Sequence, residues 1–382
     1  MPETLAELVM SRRVLVVVGA GGVGKTTTAA ALGVGAARRG RRVLCLTIDP
    51  ARRLAEALGL EPMSGEAQAV SDVPAVEGTP LRGTLSAMML DPSATFDELV
   101  VKYSPSPERA KKLLSNKLYQ YVSRSLAGTQ EYMAMEKLVA VQQDPRFDLV
   151  ILDTPPTANA LDFLDAPERL IEALDSAAIR WFVQAFQSSG KVSFNLLARS
   201  AVVVLRGLGR ITGGGFLASM AEFITELNDL FGGFRERARV VEAALRSPGV
   251  SFVLVTSPAP MSIKEVLYFS DRLQASNMPR GAFVVNRFRP APPWADAPPS
   301  ERDAARAVAA LGLELEADAP SRLVRAHAEA VQLASLDAIT LRALDEGARG
   351  RVALVRVPEL PSDVPDMSSL TELSDLLMAG GV

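Results

Sequence analysis

The sequence predicts an α/β protein built on a doubly wound, mostly parallel sheet with an inserted α-helical subdomain. Three observations carry that expectation. Short apolar, β-branched runs recur at residues 14–18, 43–48, 85–90, 149–152, 252–255, 282–285 and 352–357, with helical patterns between most of them. Runs that apolar fit strands covered on both faces, which is the habit of parallel sheets. Polar or turn residues follow the runs, and ligands of such sheets gather at the strands' carboxyl ends.

The first run leads directly into Gly19-Ala20-Gly21-Gly22-Val23-Gly24-Lys25-Thr26-Thr27. Glycines at this spacing let successive backbone N–H groups turn toward a polyphosphate. Lys25 then reaches the outer phosphates, and the Thr26 hydroxyl can ligate Mg2+. The predicted binding residues are Gly21, Gly22, Val23, Gly24, Lys25, Thr26 and Thr27, and the ligand class is a nucleoside triphosphate. This loop makes the α/β expectation specific: a P-loop NTPase. Gly19, Gly21 and Gly24 also satisfy G-x-G-x-x-G, with Asp49 as a candidate ribose-binding acid, so a dinucleotide fold is the rival. Lys25-Thr26 and a second acid-ended strand favour the triphosphate. The alanine-rich residues 27–39 form the expected helix whose positive end faces the phosphates.

Two carboxylates follow in order. Asp49 comes at the end of the second run, where it can hold and polarise an attacking water. Asp153 ends Phe147-Asp148-Leu149-Val150-Ile151-Leu152-Asp153 opposite the loop and suits magnesium coordination through water. An acid at a strand end also caps helices, but the order of loop, Asp49 and Asp153 favours phosphoryl chemistry with Lys25, Asp49 and Asp153 as the catalytic set. The turn from Thr154 to Thr157 is placed to sense the terminal phosphate.

Residues 61–80 and the proline-rich 290–299 read as loop and extended connection. No internal repeat is present, so residues 1–382 form a single nucleotide domain, with helical insertions about 96–138 and 168–248. In the second insertion Ile179, Phe182, Val183 and Phe186 share one face, as do Phe216, Met220, Phe223, Leu227, Leu230 and Phe234, with Gly213, Gly214 and Gly215 as a hinge or cap. Such stripes form either a buried core or an apolar groove for a hydrophobic protein client.

Bulk properties bound the partners. The chain has 382 residues, 48% hydrophobic and 22% charged, and its 41 basic and 44 acidic side chains are interspersed for a net charge of -3. That balance excludes a nucleic-acid-coating surface. The start of the chain lacks the pattern of a secretory signal, and no run has the length of a membrane span. A cytoplasmic protein that is not an integral membrane protein is expected. Cys45 reads as a small buried hydrophobe, and His327 as a surface side chain rather than a ligand.

The loop, Asp49-Pro50-Ala51, Asp153-Thr154-Pro155-Pro156-Thr157 and Val284-Val285-Asn286 resemble the arsenite-pump and tail-anchored-protein-targeting ATPases, the ArsA and GET group. Gly128-Thr129-Gln130-Glu131, residues 161–167 and Val357-Pro358-Glu359-Leu360-Pro361 extend the likeness to the bacterial single-nucleotide-domain members. The resemblance implies an ATP-driven dimer that couples hydrolysis to a protein or anion held by the helical region. It also implies that Asn286 and the loop near Pro358 contact adenine, that Asp49 orients water, and that Asp153 supports magnesium. A partitioning or positioning ATPase of the deviant P-loop class is one alternative. Its membrane-binding version fits poorly, because residues 368–377 carry acids and no lysine or arginine. A nucleotide-linked metabolic regulator in a fixed hetero-complex is another.

Three positions depart from the family pattern. Ala20 replaces the early lysine that reaches the partner's phosphates, so a homodimer is expected to hydrolyse slowly unless Arg52 or Arg53 substitutes or a lysine-bearing paralogue completes a heterodimer. Cys45 stands alone, which leaves neither an arsenite site nor a paired C-x-x-C zinc clasp. Asn159 occupies a position where targeting members carry histidine. The Ala20→Lys variant is expected to release phosphate from ATP faster than the unaltered chain, and an unchanged steady-state rate would remove the missing-charge explanation.

Overall fold

In the computed structural model, eight strands form a single sheet in the order β3-β4-β2-β5-β1-β6-β7-β8. The structure describes residues 2–48, 53–60, 63, 65–76, 81–116, 119–120, 123, 129–154, 166, 172, 223, 236–312, 316–348, 352–364 and 366–381. The strands are β1 (Val14–Gly19), β2 (Arg42–Thr47), β3 (Gln68–Ala69), β4 (Thr84–Met89), β5 (Leu149–Asp153), β6 (Val250–Thr256), β7 (Arg280–Phe288) and β8 (Ala353–Pro358). All neighbours pair in parallel except the two-residue β3, which runs antiparallel to β4. The expected α/β class and mostly parallel sheet are therefore observed. Each of the seven apolar runs is a strand.

Alternation along the strands divides the core into two layers. Val14, Val16, Leu44, Leu46, Val150, Leu152, Phe252 and Leu254 face one side, and Leu15, Val17, Val43, Cys45, Leu149, Ile151, Val253 and Val255 the other. Both faces are apolar because both are covered by helices. The second layer packs against α1 (Leu5–Ser11), α2 (Lys25–Arg38) and the C-terminal helix α10 (Met367–Ala379). The first layer takes α4 (Pro92–Tyr103), α5 (Pro107–Leu114) and α6 (Thr129–Gln142) below β5, and α7 (Pro260–Ala275) and part of α9 (Ala319–Ala348) below β6 and β7. The short helices α3 (Arg53–Ala57) and α8 (Glu301–Ala310) complete the set, with a further helical stretch at 236–245.

Close helix packing depends on small residues. A side chain at Gly33 would meet Cys45 Sγ at 2.6 Å, and one at Gly35 would meet Ser374 Oγ at 2.5 Å. The alanine-rich α2 is thus pressed between the sheet and α10. Cys45 is the buried hydrophobe expected from its strand. Burial, reinforced by the nearby Asp153 charge, pushes its thiol pKa up to about 12, so it stays protonated and unreactive.

Several expectations change on contact with the structure. The region 61–80 is not all loop, since Gln68 and Ala69 add β3 to the sheet edge. The stretch 290–299 holds a turn at 293–296 with Trp294 at φ 61°, rather than a simple extended connection. His327 Nε2 lies 2.8 Å from the Pro293 carbonyl oxygen, so the half-buried imidazole holds that turn to α9. Met133, Met135 and Phe223 are core residues, which removes Phe223 from any client surface. Asp49, Arg52, the turn 155–157, Asn159, the glycines 213–215 and the other stripe residues between 179 and 234 lie outside the described residues.

One carboxylate sets the register of β2 against β5. Asp148 accepts from Arg42 through its main-chain N–H (3.0 Å), Nε (3.0 Å) and Nη2 (2.6 Å), while Asp148 N–H donates to Arg42 O at 2.7 Å. The pairing Val43↔Leu149 through Thr47↔Asp153 follows from that clasp. These hydrogen bonds from Arg42 pull the Asp148 carboxyl down to about 2 from 3.8. Its folded pKa lies below its unfolded one, so its contribution is present above about pH 4 and fades as pH falls toward 2. Because the side chain is 35% exposed, solvent screening reduces that contribution to about 1 kcal/mol. Urea melts should show Asp148→Asn less stable by about that amount at pH 7, with the gap closing near pH 2.5.

Candidate functional site

The phosphate loop leaves β1 at Gly19 and enters α2 through Gly24, whose φ of 96° is left-handed. Space as well as angle demands glycine here. A Cβ at Gly19 would collide with the Val255 carbonyl oxygen of β6, and one at Gly24 with the Asn286 side-chain amide. Asn286 Nδ2 donates to Val23 O at 2.9 Å, so β7 holds the loop from the side. Asn286 is not at a strand end as expected, because β7 continues to Phe288. The first N–H groups of α2 have no partners within the helix, which makes this end an anion seat.

Lys25 is 6% exposed, and its ammonium donates to Ala20 O at 2.8 Å across the loop. A buried ammonium is costly unless an anion or several acceptors meet it. Beneath the loop, Asp153 is 1% exposed at the end of β5. Thr26 Oγ1 donates to Asp153 Oδ2 at 2.8 Å, and Thr47 Oγ1 donates to the same oxygen at 3.1 Å. Thr154 closes the layer: its hydroxyl donates to Val17 O at 2.8 Å. A hydroxyl and a carboxylate side by side are hard oxygen donors of the kind magnesium takes when phosphates and water complete its shell. Among the described residues, no cluster of three or more His, Cys, Asp or Glu could hold a metal by itself.

A cavity of about 1100 Å³ opens over the loop. Its floor is Gly22, Gly24, Lys25, Thr26, Thr27 and Thr154, and its far wall is Asn286, Arg287 and the segment 358–364, with Leu373 of α10 behind it. Arg53, Glu56 and Ala57 of α3 form a third side. The predicted residues Gly22, Gly24, Lys25, Thr26, Thr27, Asn286 and Pro358 thus share one cavity. Gly21 and Val23 are not in its wall, and Val23 turns its side chain into the core. Asp153 lies under the floor and reaches the cavity through Thr26. Asp49 lies outside the described residues.

Sequence reasoning missed Thr47, Arg287 and Glu56. Thr47 had a usable signal: it is the one hydroxyl in the apolar run 43–48 that leads to Asp49. Arg287 had none, since its placement depends on an irregularity in strand pairing.

A phosphate loop between a central parallel strand and a helix, with an acid-ended neighbouring strand beneath it, defines a P-loop NTPase. The chain belongs to the anion-transporting ATPase family, whose ArsA-type model matches residues 12–302, and it is an ATPase of the ArsA/GET3 type. Among curated proteins it is 24% identical to the ATPase get3 of Schizosaccharomyces japonicus, over 99% of this chain and 97% of that protein. It is 29% identical to the ATPase GET3 of Mycosarcoma maydis, over 57% and 58% of the two chains. The ATPase GET3 of Phaeosphaeria nodorum is 26% identical over 70% of this chain and 74% of its own. Among the described residues no helix is long and apolar enough to cross a membrane.

The hydrogen bond from Asn286 to the otherwise buried Val23 carbonyl tests how far β7 supports the loop. Asn286→Ala is expected to lower unfolding free energy by about 1–2 kcal/mol, measured by denaturant titration without nucleotide.

Proposed function

We propose that the chain is a magnesium-dependent dimeric switch that binds and hydrolyses ATP and couples nucleotide state to a hydrophobic protein segment or a protein partner. The observation that carries this reading is the 2.8 Å approach of Thr26 Oγ1 to Asp153 Oδ2 under a loop that buries Lys25. The loop amides and the Lys25 ammonium grip the β- and γ-phosphates and neutralise charge that develops on the outer one. Thr26 and Asp153 would hold Mg2+, which would screen the phosphate oxygens. Asp49 orients the attacking water, an assignment that rests on the family resemblance.

Thr47 has a supporting part. Its hydroxyl donates to the same Asp153 oxygen as Thr26, which fixes the plane of the carboxylate. Asn286 and the loop near Pro358 take the adenine, an assignment that likewise rests on the family resemblance, and both line the cavity. The helical insertions about 96–138 and 168–248 carry the client or partner. Arsenite transport is disfavoured because a lone, protonated thiol offers no soft-metal site. Pairing is either a homodimer or a heterodimer with a lysine-bearing paralogue, since Ala20 brings no charge to a partner.

Calorimetry should give saturable binding of Mg·ATP by the unaltered chain and a loss of about a hundredfold or more in Lys25→Ala. Mass measurement with Mg2+ and a non-hydrolysable analogue should show twice the chain mass. Absence of any heat at millimolar Mg·ATP would end the ATP reading, and a chain that stays monomeric under every nucleotide, alone and with the paralogue, would end the dimer.

A further inference from the structure

We propose that Arg287 clamps the base of the bound nucleotide, its guanidinium lying flat against the purine. The inference rests on the ATP-binding reading above and deepens it. Three features of the cavity's far wall converge on this residue.

The first is strain. Arg287 has φ 59°, a left-handed conformation that is unfavourable for an arginine and open to a glycine. Such strain in a non-glycine residue persists where the surrounding structure enforces it, and it concentrates at ligand sites.

The second is strand pairing. β7 and β8 are in register at Val285↔Arg356 and again at Phe288↔Pro358. Between those pairs β7 uses one residue more than β8, which is a bulge. The ladder resumes at once: Glu359 N donates to Phe288 O at 2.8 Å. A bulge placed there re-aims side chains. Asn286 turns back onto the phosphate loop, where its amide holds Val23 O, and Arg287 joins the cavity wall beside Pro358.

The third is the state of the side chain. Arg287 is exposed to the cavity and makes no hydrogen bond or ion pair among the described residues, although carboxylates of Glu359 and Asp363 lie on the same wall. Neighbouring arginines on this edge are engaged: Arg289 is bound to Asp337, and Arg356 to Asp345. A guanidinium left unpaired in a strained position has a ligand-facing task. Asn286 separates it from the phosphate loop, so its reach is to the base and ribose end. A planar, weakly hydrated cation stacks well on an aromatic ring.

The test compares Mg·ATP and inorganic tripolyphosphate binding by the unaltered chain, Arg287→Ala, Arg287→Lys and Arg287→Gly. Mg·ATP affinity should fall about tenfold in Arg287→Ala, with tripolyphosphate affinity unchanged. Arg287→Gly should bind ATP as weakly as the alanine variant yet melt at a higher temperature without nucleotide, because the backbone strain is gone. Arg287→Lys should fall between, since an ammonium keeps the charge and loses the plane. Three results overturn the clamp: unaltered ATP affinity in Arg287→Ala, an equal loss for ATP and tripolyphosphate, or a lysine variant equal to arginine. If the unaltered chain itself binds no Mg·ATP, the ATP reading fails and takes the clamp with it; failure of the clamp alone leaves that binding intact.

Discussion

Asp153 reaches the phosphate loop because β2 and β5 end at one level, two residues short of the end of β1. In the pairing of β5 with its neighbours, Asp153 stands beside Val17 of β1 and Thr47 of β2. One carboxylate oxygen thereby receives hydroxyls from Thr26 above and Thr47 alongside. Parallel strands have no hairpin to fix their offset, so register must come from side-chain pattern and end contacts. Here the far ends supply it. Asp148 is clasped by Arg42, and Arg41 gathers the carbonyl oxygens of Val9 and Arg12 at 2.6 Å each, with that of Asp148. A one-residue slip would turn Asp153 to the other face of the sheet and leave its charge buried away from both threonines.

The helices keep this arrangement compact. Glycine at 33 and 35 lets α2 approach Cys45 of the sheet on one side and α10 on the other. Arg38 of α2 also pairs with Asp375 of α10 at 2.6 Å. The segment 358–364 links β8 to α10, so seating α10 against the phosphate helix brings that segment over the cavity. Residues distant in sequence therefore form one wall around the loop. The apolar side of α10 is spent in this packing, with Leu370, Leu373 and Leu377 buried, which leaves little of it for a membrane surface.

How much could be read from the sequence follows from the same physics. Strands buried on both faces announce themselves as continuous apolar runs, so β1, β2 and β4 to β8 were legible. Glycine and lysine spacing made the loop legible too. The two-residue β3 is too short to carry a pattern, and Gln68 and Ala69 resemble the loop around them. The bulge at Arg287 depends on what β8 does opposite it, information that no local window contains. Phe223 shows the limit of periodicity: a helical apolar stripe looks alike whether it fills the core or awaits a partner, and this residue fills the core.

The helical layer is anchored to the sheet, and its helices to one another, by charged side chains. Arg13, at the foot of β1, donates to Gln142 O and Asp144 O at 2.8 Å each and to Phe147 O, which holds the end of α6. Farther up α6, the buried Glu136 pairs with Arg237 of the helical stretch 236–245 at 2.5 Å. Burial raises the Glu136 carboxyl pKa, while the guanidinium opposes that shift and favours the charged form. Breaking such a pair strands a charge in the core at a cost of about 3–5 kcal/mol. Arg13 and the Glu136–Arg237 pair together therefore hold α6 and the stretch 236–245 as one body with the sheet.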